Sequence, residues 1–417
     1  MELSARGKSA LEILAEIDNQ FAPSDSEFIA FHEFGKSRSS VLNAVQRRIE
    51  PDLTYQSGKI FGAMTTEPHE FARYVYSRYL ERNLGDCGLV PGTKSLEKDL
   101  IQILGSLLGD SDVSGNMVSG GTEANIIAMF LAKKSMPQIK NPEIVVPDSA
   151  HLSFDKSADL MGLTVKRAHL NADFSLDMNN FESLINDNTI ALVGVAGTTA
   201  LGMIDPLDKI GKLASQRKLL YHVDGAFGGM VFPFLEALGH NLPVFDMRIP
   251  EIVTYTIDPH KMGMGVIPGG CLLVRNHVLN DFGFEIPYLA GGGFKSLNIL
   301  GTRPGASVIS FWALMQHLGK EGYKKIVNQC WENTIYLKEE LANIPQISLA
   351  VEPISPVLGL QLTPQSGMTL CEFDAKMRGL GWALGIFKQW NLARVVLMPH
   401  IQREHIDAFL ADVKSLF

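Results

Sequence analysis

The chain has 417 residues, of which 46% are hydrophobic and 20% are charged. Its net charge of −8 at pH 7 excludes a broad basic surface for nucleic acid, and its four cysteines lack the spacing of a metal site. The apolar runs are too short to span a bilayer, and the N-terminal residues lack the apolar core of a signal peptide, so we expect a cytoplasmic protein.

The first predicted element is an N-terminal helical segment, residues 1–55. Apolar residues recur in this segment at helical spacing. Helical patterning resumes at residues 70–83 and 95–108, inside a large domain that we place at residues 56–305. The two apolar stripes of the N-terminal segment are formed by Leu11, Ile13, Leu14 and Ile17, and by Val41, Ala44 and Val45.

Strands and helices alternate through the rest of the large domain. Five short apolar runs, rich in valine and isoleucine, predict strands that are buried on both faces of a mostly parallel sheet. The helical stretches between them indicate a central sheet with helices on both faces, which is an α/β fold. The predicted strands cover residues 143–146, 190–195, 219–223, 252–257 and 271–274.

A small C-terminal α+β domain is predicted at residues 306–417. It begins with a long helical region, residues 306–341. Strand candidates at residues 357–362 and 393–397 flank a helix at residues 371–380, and a final amphipathic helix ends the chain.

The motif SGGTEAN at residues 119–125 opens a helical run. Paired glycines let the backbone approach an anion closely, and the free N–H groups of a helix start point at that anion. Gly121 and Thr122 are therefore candidates for binding a phosphate, and Thr122 could also cap the helix. A plain turn with an N-cap is the alternative, and the motif is neither a Walker A loop nor the dinucleotide-binding pattern.

Two chemically active residues follow neighbouring predicted strands. Asp224 ends one strand, where its carboxylate would face the ligand crevice of an α/β sheet, and Ala226 points to the same side. Lys261 follows the next strand, where partial desolvation would make its amine a nucleophile toward a carbonyl. A turn-capping aspartate and a surface lysine are the alternatives. With the anion cradle, these residues supply what pyridoxal 5'-phosphate (PLP) needs at its phosphate, ring nitrogen and aldehyde.

At these motifs the sequence resembles the group II PLP-dependent amino-acid decarboxylases, which have the aspartate aminotransferase fold (fold type I). The resemblance runs from Ser57 to the C-terminus and is closest to the archaeal L-tyrosine/L-aspartate decarboxylases. The motif GTRPGAS at residues 301–307 also resembles sphingosine-phosphate lyases. Besides SGGTEAN, the matching motifs are HLSFDKSADLMGL at 151–163, GTTALGMIDPL at 197–207, HVDGAFGG at 222–229 and DPHKMG at 258–263.

The resemblance implies decarboxylation of an L-amino acid, L-tyrosine or L-aspartate, by a homodimer whose active sites are shared. It implies that Lys261 holds the cofactor as a Schiff base and that Asp224 pairs with the pyridine nitrogen. His151 would stack on the cofactor ring, with a helix-capping histidine as the alternative, and Ala226 would pack on the opposite face. Arg394 would bind the substrate α-carboxylate, with a strand-edge salt bridge as the alternative.

The remaining cofactor contacts are also implied by the resemblance. Gly121, Thr122 and His260 would bind the phosphate. Thr198 would lie near the ring edge, and Thr302 would reach the phosphate of a neighbouring subunit.

Some positions depart from the family pattern. Many relatives have Asn or Ser where Asp258 stands, and an anion there would repel a phosphate unless it is turned away or paired. The proton-donating tyrosine of the family's mobile loop has no clear counterpart, and Tyr288 is the nearest candidate within residues 281–300, the loop expected to exclude water. Phe294 stands where a lyase-like tyrosine would be expected.

Three other activities remain open from the sequence. They are carbon–carbon cleavage by a PLP-dependent lyase, transfer of an amino group, and PLP binding without turnover. The segment Phe61–His69 is expected to line the substrate slot, and its polar residues suit a carboxylate as well as a phenol. These polar residues are Thr65, Thr66 and His69.

Overall fold

Residues 31–276 and 283–417 are described by the structure, which is a computed structural model. The chain separates into two compact units, one that ends at Asp52 and one that runs from Leu53 to Phe417. In the first unit, helix α1 (Arg38–Ile49) is capped by Ser37, whose hydroxyl accepts a hydrogen bond from the Ser40 amide. The predicted apolar stripe of Leu11–Ile17 lies outside the described residues.

The second unit contains a seven-stranded sheet. Its strand order is β1-β7-β6-β5-β4-β2-β3. Strands β2 to β6 run parallel to one another, whereas β7 is antiparallel to β1 and β6. The mostly parallel sheet predicted from the sequence is therefore confirmed. The strands are β1 (Val113–Val118), β2 (Glu143–Pro147), β3 (Thr164–Ala168), β4 (Thr189–Val195), β5 (Leu220–Asp224), β6 (Thr254–Ile257) and β7 (Gly270–Arg275).

Both faces of this sheet are buried. In β2, Val145 joins one hydrophobic cluster, whereas Ile144 and Val146 join another. Alternate side chains of a strand point to opposite faces, so the two clusters lie on opposite sides of the sheet. The helices of this part of the chain are α2 (Glu70–Arg78), α3 (Pro91–Leu107), α4 (Gly121–Ser135), α5 (Ser153–Met161), α6 (Met178–Ser183), α7 (Leu207–Arg217) and α8 (Phe232–Ala237), and α3 to α7 contact strands of the sheet.

Two strands of the sheet were not predicted, and both lack a continuous apolar run. Strand β1 carries Ser114, Gly115 and Asn116 at its centre. Strand β3 lies at the sheet edge, and most of its residues are partly exposed. Their pairing with β7 and β2, and not their composition, makes them strands.

The segment expected as a loop at residues 281–300 contains a short hairpin instead. Strand β8 (Phe284–Ile286) pairs with β9 (Phe294–Ser296), and residues 281 and 282 lie outside the described residues. Three-residue strands are too short for a periodic signal, so the sequence could not reveal them.

The C-terminal region adds helices and a second sheet. Helix α9 (Gly305–Leu341) is broken at Gly319, whose φ of 59° is left-handed, so the predicted helical region is two helices. The antiparallel sheet has the order β10-β11-β13-β12. The predicted boundary at residue 306 stays a prediction. The new elements are β10 (Ile347–Leu349), β11 (Val357–Leu362), α10 (Leu370–Gly379), β12 (Gly385–Phe387), β13 (Leu392–Val396) and α11 (Arg403–Ser415).

Across residues 31–276 and 283–417, no helix is both long enough and apolar enough to cross a bilayer.

Candidate active site

A cavity of about 390 Å³ opens where β5 and β6 end and α4 begins. Parallel strands bring their carboxyl ends to one edge of a sheet, and ligands of α/β proteins bind at that edge. The cavity gathers most of the residues predicted for the site. Those that line it are Gly121, Thr122, His151, Asp224, Ala226, His260 and Lys261.

The start of α4 forms an anion cradle in this cavity. A Cβ atom on Gly121 would lie 2.9 Å from the Asp258 Oδ2 and 3.2 Å from the Ala226 Cβ, so the position has no room for a side chain. The helix begins without a side-chain cap, which leaves its first amides free for a ligand. Thr122 adds a hydroxyl at the same place. Backbone donors around a space that a Cβ would fill suit a phosphate group.

The Asp224 carboxylate is buried at the end of β5 and is held by neutral donors. Its Oδ1 accepts a hydrogen bond from the Ala226 amide at 3.1 Å, and its Oδ2 accepts one from the Asn125 Nδ2 at 2.8 Å. Among the described residues, no cation forms an ion pair with it. A buried anion without a cation is a suitable partner for a protonated ring nitrogen.

Asn125 is in turn oriented by a buried network. Its Oδ1 accepts hydrogen bonds from the Thr256 hydroxyl at 2.7 Å and from the His222 Nε2 at 3.0 Å. The Thr254 hydroxyl lies 2.8 Å from the His222 Nδ1. Burial lowers the pKa of His222 to about 4, so the imidazole is neutral and donates from Nε2. The network therefore fixes which end of the Asn125 amide faces Asp224.

His151 lies at the turn between β2 and α5, with its imidazole in the cavity wall. Its Nδ1 accepts a hydrogen bond from the Ser153 amide at 3.2 Å, so the other ring nitrogen carries the proton. Desolvation lowers the pKa of His151, although the nearby Asp224 charge opposes the shift. A neutral, flat ring at this position can stack on a heteroaromatic ligand.

Lys261 lies in the turn that follows β6. Its amide donates to the Asp258 carbonyl at 3.1 Å, and its Nζ lies 3.3 Å from the Asp258 Oδ2. The side chain is only 20% exposed. The partial desolvation expected for this lysine is therefore present, and it comes with a carboxylate partner.

Three predicted site residues do not line the cavity. The Thr198 hydroxyl accepts a hydrogen bond from the Met203 amide at 3.1 Å, and the neighbouring Thr199 lines the cavity instead. Thr302 is exposed. Arg394 donates from Nη1 to the Thr199 carbonyl at 2.5 Å. The roles given to Thr198, Thr302 and Arg394 stay predictions.

Arg394 nevertheless lies beside the cavity, because Thr199, whose carbonyl it contacts, lines the cavity wall. Its guanidinium also donates to the Gly62 carbonyl, and its buried Nε has no hydrogen-bond partner among the described residues. Burial lowers the pKa of Arg394 to about 10, so the group remains a cation at neutral pH. A half-buried cation beside the cavity suits a carboxylate ligand.

No role was predicted from the sequence for Asn125, which lies in the motif SGGTEAN. Asn125 follows Gly121 by four positions, so both face the same side of α4. An amide in the otherwise apolar run that follows the glycines was the available signal. The wall residue Thr65 was expected, and its hydroxyl lies 2.8 Å from the Tyr55 hydroxyl.

Comparisons with known proteins agree with this geometry. The model of the pyridoxal-dependent decarboxylase conserved domain matches residues 41–362. The L-aspartate decarboxylase of Thermococcus kodakarensis is 41% identical over 387 residues, which are 93% of this chain and 99% of that protein. The probable L-tyrosine/L-aspartate decarboxylase of Methanothermobacter thermautotrophicus is 42% identical over 365 residues, which are 87% of this chain and 99% of that protein.

Two solved structures show the same fold. The sphingosine-1-phosphate lyase of Burkholderia pseudomallei has a TM-score of 0.85 at 25% identity, over 94% of this chain and 93% of that chain. The glutamate decarboxylase of Lactobacillus brevis has a TM-score of 0.84 at 19% identity, over 96% of both chains. At this identity the second likeness concerns the fold alone.

Proposed function

The chain belongs to the pyridoxal-dependent decarboxylase family, and from that premise we propose that it releases CO2 from L-aspartate. It is a PLP-dependent amino-acid decarboxylase with the type I fold. The choice of L-aspartate rests on the relatives, because L-aspartate is named for the proteins that are 41–42% identical to this chain. The convergence of Lys261, Asp224 and the anion cradle on one cavity supports the cofactor chemistry.

Bound PLP supplies an electron sink for the bond that breaks at the substrate Cα. In the proposal, Lys261 holds the cofactor covalently and Asp224 pairs with its ring nitrogen. The amides at the start of α4 and the Thr122 hydroxyl hold the phosphate. His151 packs on one face of the cofactor ring and Ala226 packs on the other.

His260 contributes to phosphate binding only when it is protonated. Its Nδ1 lies within hydrogen-bond distance of the Gly269 carbonyl, which can only accept, so this nitrogen carries a proton. In the neutral ring, Nε2 is then an acceptor and cannot donate to a phosphate. The proposed phosphate contact therefore requires the imidazolium form.

Arg394 is proposed to bind and orient the substrate α-carboxylate. Its two carbonyl partners hold the guanidinium in place without neutralising its charge. Lysine would keep the charge but lose the planar fork, so Arg394→Lys is expected to raise KM for the substrate by about tenfold or more. Steady-state kinetics measure the change, and an unaltered KM would exclude this assignment.

The proposed reaction is tested by measuring CO2 release from each of the twenty amino acids at fixed PLP. L-aspartate is expected to give the highest kcat/KM, and Lys261→Ala is the inactive control. The wild type with PLP is expected to absorb near ~420 nm, the usual band of a protonated lysine–PLP linkage. Aldehyde release in place of CO2 would indicate a carbon–carbon lyase, and PLP binding without any product would indicate a protein that has lost turnover.

L-tyrosine is the second candidate, and an aromatic pair favours it. Phe387 and Trp390 are stacked, with ring centroids 5.8 Å apart and an interplanar angle of 17°. They line a second cavity of about 440 Å³ that shares His151 and Thr199 with the first. A phenol side chain could lie against these rings. Higher kcat/KM for L-tyrosine than for L-aspartate would establish this alternative.

We also propose that the enzyme is a cytoplasmic homodimer with shared active sites. The exposed Thr302 stands beside the buried Arg303, so it is presented at the surface from a fixed backbone. Light scattering is expected to give twice the chain mass of 45.8 kDa. A mass of one chain would contradict the dimer, and recovery of the native protein in the membrane fraction of its cells would contradict the location.

A further inference from the structure

Asp258 is a buried carboxylate inside the cofactor cavity whose role the family resemblance does not explain. It is 2% exposed, and it lines the cavity together with the anion cradle. Its Oδ1 has no hydrogen-bond partner among the described residues. Burying a charge is costly unless it is paired, so the identity of its partner decides what Asp258 does.

Lys261 is the cation that pairs with this carboxylate. The Lys261 Nζ lies 3.3 Å from the Asp258 Oδ2, and the turn between the two residues is closed by the Lys261 amide. The His260 Nε2 is farther from the same oxygen, at 3.8 Å, and the His260 Nδ1 faces the Gly269 carbonyl. Among the described residues, the Lys261 nitrogen is therefore the basic group nearest to the Asp258 carboxylate.

The position of the carboxylate is fixed by its surroundings. A Cβ on Gly121 would lie 2.9 Å from the Asp258 Oδ2, and one on Gly270 would lie 2.8 Å from Oδ1. The Asp258 amide also donates to the Ala226 carbonyl at 3.2 Å. The carboxylate is thus wedged between backbone segments and cannot turn away from the cavity without moving them.

We propose that Asp258 is the counter-ion of the Lys261 nitrogen, both before and after this nitrogen is joined to the cofactor. This inference rests on the proposed function. With PLP bound, the Asp258 carboxylate would stabilise a positive charge on the Lys261 nitrogen. This charge would make the PLP carbon bonded to that nitrogen more electrophilic toward the amine of an incoming substrate. Asp258 acts through Lys261, so it is a positioning residue.

Other titratable groups share the cavity and could also act on the charge of the Lys261 nitrogen. They are His151 from the start of α5, Asp224 from the end of β5, and His260 beside Lys261 itself. Asp224 is held by Ala226 and Asn125, and His260 by the Gly269 carbonyl, so each has its own fixed partners. An opposite charge within ~4 Å favours the charged form of a group by about one to three pH units, and among the described residues only Asp258 has a carboxylate at that distance from the Lys261 Nζ.

The test is a pH titration of the absorbance near ~420 nm in the PLP-loaded protein without substrate, for wild type and Asp258→Asn. Asparagine preserves the shape and removes the charge. The midpoint pH at which the ~420 nm band disappears is expected to fall by about one to three units in the variant. Asp258→Ser is the second variant, and circular dichroism establishes that both fold.

Asp246→Asn is the matched control, because Asp246 is also buried and also pairs with a cation, Arg248 at 2.8 Å, outside the cavity. This control is expected to leave the midpoint unchanged. An unchanged midpoint in folded Asp258→Asn and Asp258→Ser would overturn the counter-ion role and leave the decarboxylase assignment intact. A wild type that shows no band near ~420 nm and no Lys261-dependent CO2 release would overturn both.

Discussion

At the scale of single residues, the Asp224 carboxylate is held by polar groups that carry no charge. Asp224 receives one hydrogen bond from a backbone amide and one from the Asn125 amide. The neutral His222 behind Asn125 cannot donate charge to this arrangement, because burial depresses its pKa to about 4. The Asp224 charge is therefore available to pair with the cofactor, and the Asn125 amide orients the Asp224 carboxylate.

Asn125→Ala is expected to weaken PLP binding, because it removes the donor that orients Asp224 and leaves the His222 Nε2 without its acceptor. We expect an increase in the Kd for PLP of about tenfold, as for one lost hydrogen bond to a charged group. Fluorescence titration of the cofactor-free protein with PLP measures it. Asn333→Ala removes a buried amide that donates to the Ile401 carbonyl, and it should lower stability without changing this Kd.

At the scale of elements, the site residues lie at a helix start and in a turn. The buried faces of the strands and helices keep these segments in position. Helix α4 presents its uncapped first turn to the cavity, while its other residues pack into the sheet. The turn after β6 brings Asp258 and Lys261 together. A change in either element would therefore alter cofactor binding before it altered the fold.

Gly121→Ala is expected to abolish the anion cradle, since its Cβ would meet the Asp258 Oδ2 at 2.9 Å. We predict a loss of PLP affinity of at least about tenfold with circular dichroism unchanged. Gly92→Ala, in helix α3, is the matched control, because no atom lies within 4 Å of its added Cβ. Equal affinities for the two variants would argue against a close approach of the phosphate to Gly121.

The segment that presents Thr302 is anchored by a buried ion pair. The Arg303 Nη1 lies 2.6 Å from the Glu97 Oε1 in helix α3 and also donates to the Met117 carbonyl of β1. Glu97 is fully buried, and Arg303 and Lys94 lower its pKa against the effect of burial.

Glu97→Gln leaves the buried Arg303 charge without an anionic partner, so it is expected to destabilise the fold by about 3–5 kcal/mol. Denaturant unfolding measures the loss. Glu321→Gln removes an exposed partner of Lys324 and should cost less than about 1 kcal/mol. A similar, small loss for both variants would mean that solvent reaches the Glu97 pair.

At the scale of the whole molecule, stability depends on pH through groups that lie away from the cofactor. Asp205 is buried, and desolvation raises its pKa from 3.8 to about 7, against the hydrogen bond from the Val195 amide. The folded state therefore retains a proton that the unfolded state has released between these two values. The stability that this carboxyl group contributes is complete below pH 3.8 and is lost as pH rises to about 7.

Asp205→Asn removes this dependence, because asparagine stays neutral and its oxygen can still accept from the Val195 amide. We expect the Tm of the variant to fall less than that of the wild type between pH 4 and pH 7. Calorimetry of the two proteins across that range is the measurement. Parallel Tm curves would show that Asp205 ionises in the folded state without cost.

The extent of what could be predicted follows the same physics. Long apolar runs such as β4, which is buried at every position, predict a strand from composition alone. Strands β1 and β3 depend on their partners, and the break of α9 at Gly319 depends on one backbone conformation. Such features leave no periodic signal in a sequence.

From the sequence alone, Asp224 and Lys261 could be placed after buried strands, and the carboxyl ends of parallel strands lie at one sheet edge. That both residues share one cavity with the anion cradle is seen in the tertiary structure. The groups that contact these residues are likewise seen only in the folded chain. Asn125 meets Asp224 across 99 positions of the chain, and Arg394 meets the Thr199 carbonyl across 195. These contacts depend on how side chains pack between elements, and no local pattern encodes that packing.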